Sequence, residues 1–122
     1  MSASSMIDRF GELAGTAEDT RELVELFLSN TSQELESLDA AMQAGERSET
    51  ELIAHRCAGS SGVCGVTDLM ALLQHVEQHA HSGDLITAAT VLPRVSAVFD
   101  RVSGILTAHL AALDPGAGSP AI

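Results

Sequence analysis

The chain has 122 residues and a formal net charge of −11; 45% of its residues are hydrophobic and only 2% are aromatic. This length and composition suit one compact domain with an aliphatic core. The excess of acidic residues argues against binding to nucleic acid or to an anionic membrane surface, because both would repel it, and it suits a protein partner.

The sequence shows no signal for export or membrane insertion. No apolar run approaches the roughly 18 residues that would suggest a membrane span. Residues 1–6 lack the basic and apolar regions of a signal peptide. Two cysteines in a chain of this length do not make a disulfide framework. We therefore expect a cytoplasmic protein without membrane insertion.

Helical patterns cover nearly the whole chain, and sustained strand alternation is absent. The longest early helix begins at Asp19 or Thr20 and places apolar residues on one stripe, with polar residues opposite. Pro93 predicts a kink or a restart within the last helix. The predicted helices span, in chain order, residues 6–13, 19–42 and 48–64, then from residue 67 to a turn at 82–84, and finally 85–113.

Short connections between the four main helices predict an all-α fold, an antiparallel up-down four-helix bundle with a short extra N-terminal helix. Ser48 has Glu51 three residues later, which is the spacing of a capping box. Thr67 can cap the following helix. The predicted division is an N-terminal segment with the short helix at 1–18, the bundle at 19–113 and a flexible C-terminal tail at 114–122.

The segment from residue 54 to 65 reads Ala-His-Arg-Cys-Ala-Gly-Ser-Ser-Gly-Val-Cys-Gly and is the most informative part of the chain. At about 100° per residue, His55 lies almost opposite the predicted core stripe. Gly59 and Gly62 flank His55, although an interior glycine costs about 1 kcal/mol relative to alanine. Either these glycines clear an approach to the imidazole, or His55 is a solvent-facing residue near a weak helix end. The predicted core stripe contains Ile53, Cys57, Ser60 and Cys64.

This segment resembles the signature of histidine phosphotransfer (Hpt) domains, in which Ala-His is followed by Gly-Ser-Ser and a later glycine. Ala54 and His55, the triplet 59–61 and Gly65 match that signature. Hpt domains are four-helix bundles with the histidine midway along the second bundle helix and a proline early in the last one. The resemblance therefore covers about residues 19–113.

One position departs from the Hpt pattern. The lysine that usually follows the histidine by three residues, and that is thought to assist the phosphorylated imidazole, is Ala58 here. Arg56 projects about 100° away from His55. Either Arg56 substitutes in part, or transfer is slow, or the chain has become a docking module. The docking or supporting residues expected around His55 are Arg56, Ala58, Gly59, Ser60 and Gly62, with Leu26 and Leu28 on the preceding helix.

The resemblance implies a phosphorelay intermediary. His55 would accept a phosphoryl group from the aspartyl phosphate of a response-regulator receiver domain, including that of a hybrid sensor histidine kinase, and pass it to another receiver. The receiver would supply Mg²⁺, so this chain binds no cofactor itself. Because no nucleotide-binding motif is present, we expect a covalent phosphohistidine carrier without ATP-dependent kinase activity. Ala58 motivates an alternative, a non-catalytic receiver-binding bundle.

A metal or redox site is the remaining alternative. His75 and His79 have the i, i+4 spacing that can place two imidazoles on one metal, but no nearby cysteine or carboxylate completes the set, so we expect no metal. Cys57 and Cys64 lie two helical turns apart, which separates their Cα atoms by about 10.5 Å. A disulfide needs a Cα–Cα distance of less than about 7 Å, so we expect both cysteines to be small apolar residues of the core.

Overall fold

The computed structural model describes residues 2–113, and that part of the chain is helical without any strand. The tail predicted at 114–122 lies outside the described residues. Within the described range, no helix is long and apolar enough to cross a membrane. The helices are α1 (Ala3–Ala14), α2 (Ala17–Gln43), α3 (Arg47–Val63), α4 (Thr67–His81) and α5 (Leu85–Leu113).

All five helices contribute to one apolar core. The stripe predicted on α2 is confirmed, since Val24, Phe27 and Leu38 are buried and the polar positions opposite them are exposed. The N-terminal helix α1 is longer than predicted and places Phe10, fully buried, edge-on against the Phe27 ring at 5.5 Å between centroids. Such aromatic pairs add to the stabilisation from buried area, so α1 is anchored to the bundle.

The three turns after α2, α3 and α4 have the same hydrogen-bond pattern. After α3, the N–H of Gly65 donates to Gly62 O and the N–H of Val66 donates to Ser61 O, at 3.1 and 2.8 Å. This Schellman pattern satisfies carbonyls that the helix end leaves free, and it requires a left-handed residue. Glycine takes that conformation without penalty. The glycines are Gly45, Gly65 and Gly83, with φ of 71°, 76° and 80°.

These turns also explain where the predicted helix caps are wrong. Glu46 and Val66 close the preceding turn through their N–H groups and are themselves the N-cap residues of α3 and α4. Neither forms a side-chain cap, and Ser48 and Thr67 lie inside the helices they were expected to cap. At α5, by contrast, a side-chain cap is present, because Asp84 Oδ1 accepts a hydrogen bond from the N–H of Thr87 at 3.0 Å.

The outer helices differ from the prediction at two further points. The cap of α2 is Thr16, whose Oγ1 accepts from the N–H of Asp19 at 3.0 Å, so α2 begins earlier than predicted. Helix α5 is continuous through Pro93 and does not restart there. Pro93 and Ala89 are both exposed, so water can satisfy the Ala89 carbonyl, which has no N–H partner at Pro93.

Candidate functional site

His55 lies on the exposed side of α3, a helix that packs against both α2 and α4. Its side chain is 70% exposed, whereas the neighbouring Ala54 and Cys57 are fully buried. The prediction that His55 faces away from the core is confirmed. The imidazole is therefore held by a well-packed helix and remains open to a partner or a solute.

A carboxylate on the neighbouring helix orients the His55 ring. Nδ1 of His55 lies 2.9 Å from Oε2 of Glu77 on α4, and the Glu77 side chain is only 27% exposed. A carboxylate can only accept, so Nδ1 donates, and the lone pair of the neutral ring lies on Nε2. Fixing a histidine through one nitrogen makes the other nitrogen a directed nucleophile or ligand.

Sequence reasoning missed Glu77 and a second, similar pair. Nδ1 of His81 on α4 lies 2.8 Å from Oε1 of Glu51 on α3. Across the two helices, Glu51 thus faces His81, and His55 faces Glu77. The signal was present in the sequence, since each helix contains a glutamate four residues before a histidine, which places both side chains on one helix face.

The two pairs line an open groove between α3 and α4, and the two glycines of the motif contribute to it differently. Gly59 is exposed, and a Cβ there would meet no atom within 4 Å, as expected for a cleared surface. Gly62 is half-buried, and a Cβ there would lie 2.7 Å from Met70 Sδ. Gly62 therefore makes room for a side chain of α4. From the sequence, Gly62 was expected on the exposed surface, and this contact was not predicted.

The structure also shows where Ala58, Ser60 and Arg56 lie on α3, and only Ser60 departs from its predicted face. Ala58 is buried, at 4% exposure, in the floor of the groove. Ser60, expected in the core, is exposed, and Ser61 is buried instead. The reason is that α3 packs on two helices, so its buried face is broader and is turned toward α4. Arg56 faces α2, where burial raises the pKa of Glu34 and the charge of Arg56 offsets only part of that rise.

The exposed apolar residues near His55 lie mainly on α3 itself. Leu26 on α2 is 57% exposed and available for contact, whereas Leu28 is half-buried against the core. Leu52 and Val63 on α3 are 48% and 59% exposed and were not predicted. With Gly59 they form an apolar strip beside His55, because their positions fall within about 80° of it around the helix. Exposed apolar side chains next to a reactive group are typical of a docking surface.

The comparisons with known proteins agree with the fold and with the motif. The family model described as the Hpt domain matches residues 22–114. The chain belongs to the Hpt domain family. A solved structure, histidine-containing phosphotransfer protein B (HptB) from Pseudomonas aeruginosa PAO1, has the same fold with a TM-score of 0.81 and 22% identity, covering 88% of this chain and 91% of that one. No curated protein matches the chain.

Membership in the Hpt family gives the chain a histidine phosphotransfer role in phosphorelays, in which these domains work with response-regulator receivers. The resemblance drawn from residues 54–65 is thereby confirmed. The segment lies inside the matched range and holds His55 on α3.

The two cysteines of this Hpt domain are free thiols in the core. Burial raises the pKa of Cys57 to about 12, with Glu34 as a smaller cause, and burial also raises the pKa of Cys64. A thiol that stays protonated is a poor nucleophile and metal ligand. Across residues 2–113, no group of three or more His, Cys, Asp or Glu side chains is placed to hold a metal ion.

Proposed function

We propose that His55 accepts a phosphoryl group from the aspartyl phosphate of one receiver domain and passes it to the aspartate of another. The lone pair of Nε2 attacks phosphorus, the P–Nε2 bond forms, and the bond from phosphorus to the aspartyl oxygen breaks and leaves a carboxylate. Transfer to the second receiver reverses these changes. Nδ1 keeps its proton throughout.

The observation that carries this proposal is the hydrogen bond between His55 Nδ1 and Glu77 Oε2 on an otherwise exposed ring. It presents Nε2 to an incoming phosphorus atom. The Glu77 carboxylate also faces the positive charge that the ring gains when Nε2 is phosphorylated. A hydrogen bond between oppositely charged groups is roughly twice as strong as one between neutral groups. The Glu77 carboxylate therefore stabilises the phosphorylated ring.

The charge on the phosphoryl group itself must be balanced mainly by the receiver. Ala58 offers no cation, and Arg56 faces α2. Phosphoryl transfer depends on positioning and on such neutralisation. We propose that the receiver supplies Mg²⁺ and a lysine and docks on the apolar strip of Leu52, Gly59 and Val63. This chain then serves as a covalent carrier without kinase activity of its own.

The order of the helices in the bundle and the cellular location of the protein also belong to the proposal. The three-residue connections between α2, α3, α4 and α5 support an antiparallel up-down order of these four helices. For α3 and α4 the support is direct, because residue 51 pairs with 81 and residue 55 with 77, so the two helices run in opposite directions. A cytoplasmic setting stays a prediction. The alternative function, receiver binding without phosphate acceptance, rests on Ala58.

Transfer from a phosphorylated receiver tests the proposal and separates it from the alternative. The expected product is an acid-labile phosphate on this chain, and a complex that forms without one would favour the alternative. Glu77→Gln should slow transfer by roughly tenfold, in line with the loss of other carboxylate–histidine partners. Glu51→Gln is the matched control, since it changes a carboxylate of the same groove whose hydrogen bond goes to His81 and not to His55. Equal rates for the two variants would contradict the role of Glu77.

A further inference from the structure

His81, the last residue of α4, has the same local surroundings as His55 although it lies outside the Hpt motif. Its side chain is 75% exposed, and its Nδ1 lies 2.8 Å from Glu51 Oε1. The Glu51 side chain is 30% exposed, close to the value for Glu77. By the same reasoning on donors and acceptors, Nδ1 of His81 donates to the carboxylate, and the lone pair of the neutral ring lies on Nε2.

Arg47 adds a cation on the side of His81. It lies in the first turn of α3, one helical turn before Glu51. Its Nη1 is 3.7 Å from the position that a Cβ would take at Gly83, two residues beyond His81. A guanidinium group binds phosphate oxygens in a two-pronged geometry. The turn that follows His81 thus brings a positive charge close to the end of α4, where the oriented imidazole lies.

We propose that His81 is a second phosphoryl acceptor of this chain, one that reacts with small donors carrying an activated P–N or P–O bond. The lone pair of Nε2 attacks phosphorus, the P–Nε2 bond forms, and the leaving group departs with the electrons of its own bond to phosphorus. With phosphoramidate the leaving group is ammonia. The Nδ1 proton stays in the hydrogen bond to Glu51, and Arg47 binds the phosphoryl oxygens. The inference does not depend on His55 being the acceptor for receivers.

Phosphorylation of the full chain by phosphoramidate, read at each histidine by mass spectrometry at alkaline pH, tests this proposal. His75 is the internal control, since it is exposed on the same helix and has no hydrogen bond to its ring among the described residues. His81 should react about tenfold faster than His75, the lower end of what a carboxylate partner contributes to a histidine. Equal rates at His81 and His75 would overturn the proposal, and this comparison needs no variant.

Two matched variants then test the role of the carboxylate. Glu51→Gln should bring the rate at His81 down toward that at His75 and leave His55 unchanged, while Glu77→Gln should slow His55 alone. Nitrogen-15 NMR should show His81 protonated at Nδ1 in the parent, whereas Glu51→Ala, which removes the acceptor, should move the neutral ring toward the form protonated at Nε2; a purely structural role would not produce this change. An unchanged His81 rate in folded Glu51→Gln would overturn the proposal.

Arg47→Gln provides an independent check if Glu51→Gln does not fold. It should slow phosphorylation of His81 without changing that of His75, and equal effects on both would contradict the proposed cation. Because the donor and the modified residue differ from those of the receiver assay, a failure at His81 leaves the proposal for His55 standing, and the reverse also holds.

Discussion

Gly62→Ala should have a different effect on stability from Gly59→Ala, although the two glycines lie three residues apart on α3. Alanine in place of a helical glycine gains about 1 kcal/mol. At Gly59 nothing lies within 4 Å of the new Cβ, so the full gain is expected. At Gly62 the new Cβ would lie 2.7 Å from Met70 Sδ, closer than the 3.0 Å below which a neighbour must shift, and the sulfur reaches the 3.4 Å of an ordinary contact only after moving by about 0.7 Å.

Moving Met70 offsets the gain at Gly62. A side chain displaced from its rotamer costs of order 0.5–1.5 kcal/mol, so Gly62→Ala alone should change stability by close to zero. In a Met70→Ala background the obstacle is gone, and Gly62→Ala should then gain about 1 kcal/mol. The expected coupling between the two positions is about 1 kcal/mol, which corresponds to roughly 4 °C in Tm.

Urea denaturation followed by far-UV circular dichroism measures this cycle with four proteins. Gly59→Ala, made in the parent and in the Met70→Ala background, is the control and should gain the same free energy of unfolding in both. If Gly62→Ala gains as much as Gly59→Ala in the parent and is unaffected by Met70→Ala, the close approach of α3 and α4 at Gly62 is refuted.

Three further predictions concern docking, capping and the thiols. Gly59→Gln should raise Tm but slow transfer from a phosphorylated receiver, because its side chain stands beside His55; undiminished transfer in the folded variant would remove Gly59 from the docking surface. Thr16→Ala should lower the free energy of unfolding by about 1 kcal/mol through loss of the α2 cap, while Ser48→Ala should stay within about 0.5 kcal/mol, and equal losses would contradict the observed caps. Iodoacetamide at neutral pH should leave Cys57 and Cys64 unlabelled in the folded protein and label both in urea, since burial raises their pKa values; rapid labelling of the folded protein would show that the core is open.

The sequence was sufficient to predict the helices, the family and the exposure of His55. Apolar periodicity and the glycine breaks carry that information locally, and a phosphotransfer motif is contiguous in the chain. The predicted caps at Ser48 and Thr67 were wrong because the Schellman turns set those helix starts, and a turn of this kind competes with a side-chain cap for the same residues.

The partners of His55 could not be predicted from α3 alone. Glu77 is 22 residues away in the chain and meets His55 only because α3 and α4 pack in one register. The buried face of α3 could not be predicted from α3 alone either, because it depends on how the neighbouring helices pack. Packing against two helices buries Ala58 and leaves Ser60 exposed. Helix periodicity gives the direction of a side chain on its own helix, but not which neighbour covers it.

The most direct test of this account is phosphotransfer from a phosphorylated receiver to the parent chain and to His55→Gln, with the phosphorylated residue located by mass spectrometry. The parent should carry acid-labile phosphate on His55, and His55→Gln should remain folded by circular dichroism and accept none from the receiver. Receiver-derived phosphate on another residue of the parent, or acceptance retained by folded His55→Gln, would contradict the assignment of His55 as the acceptor.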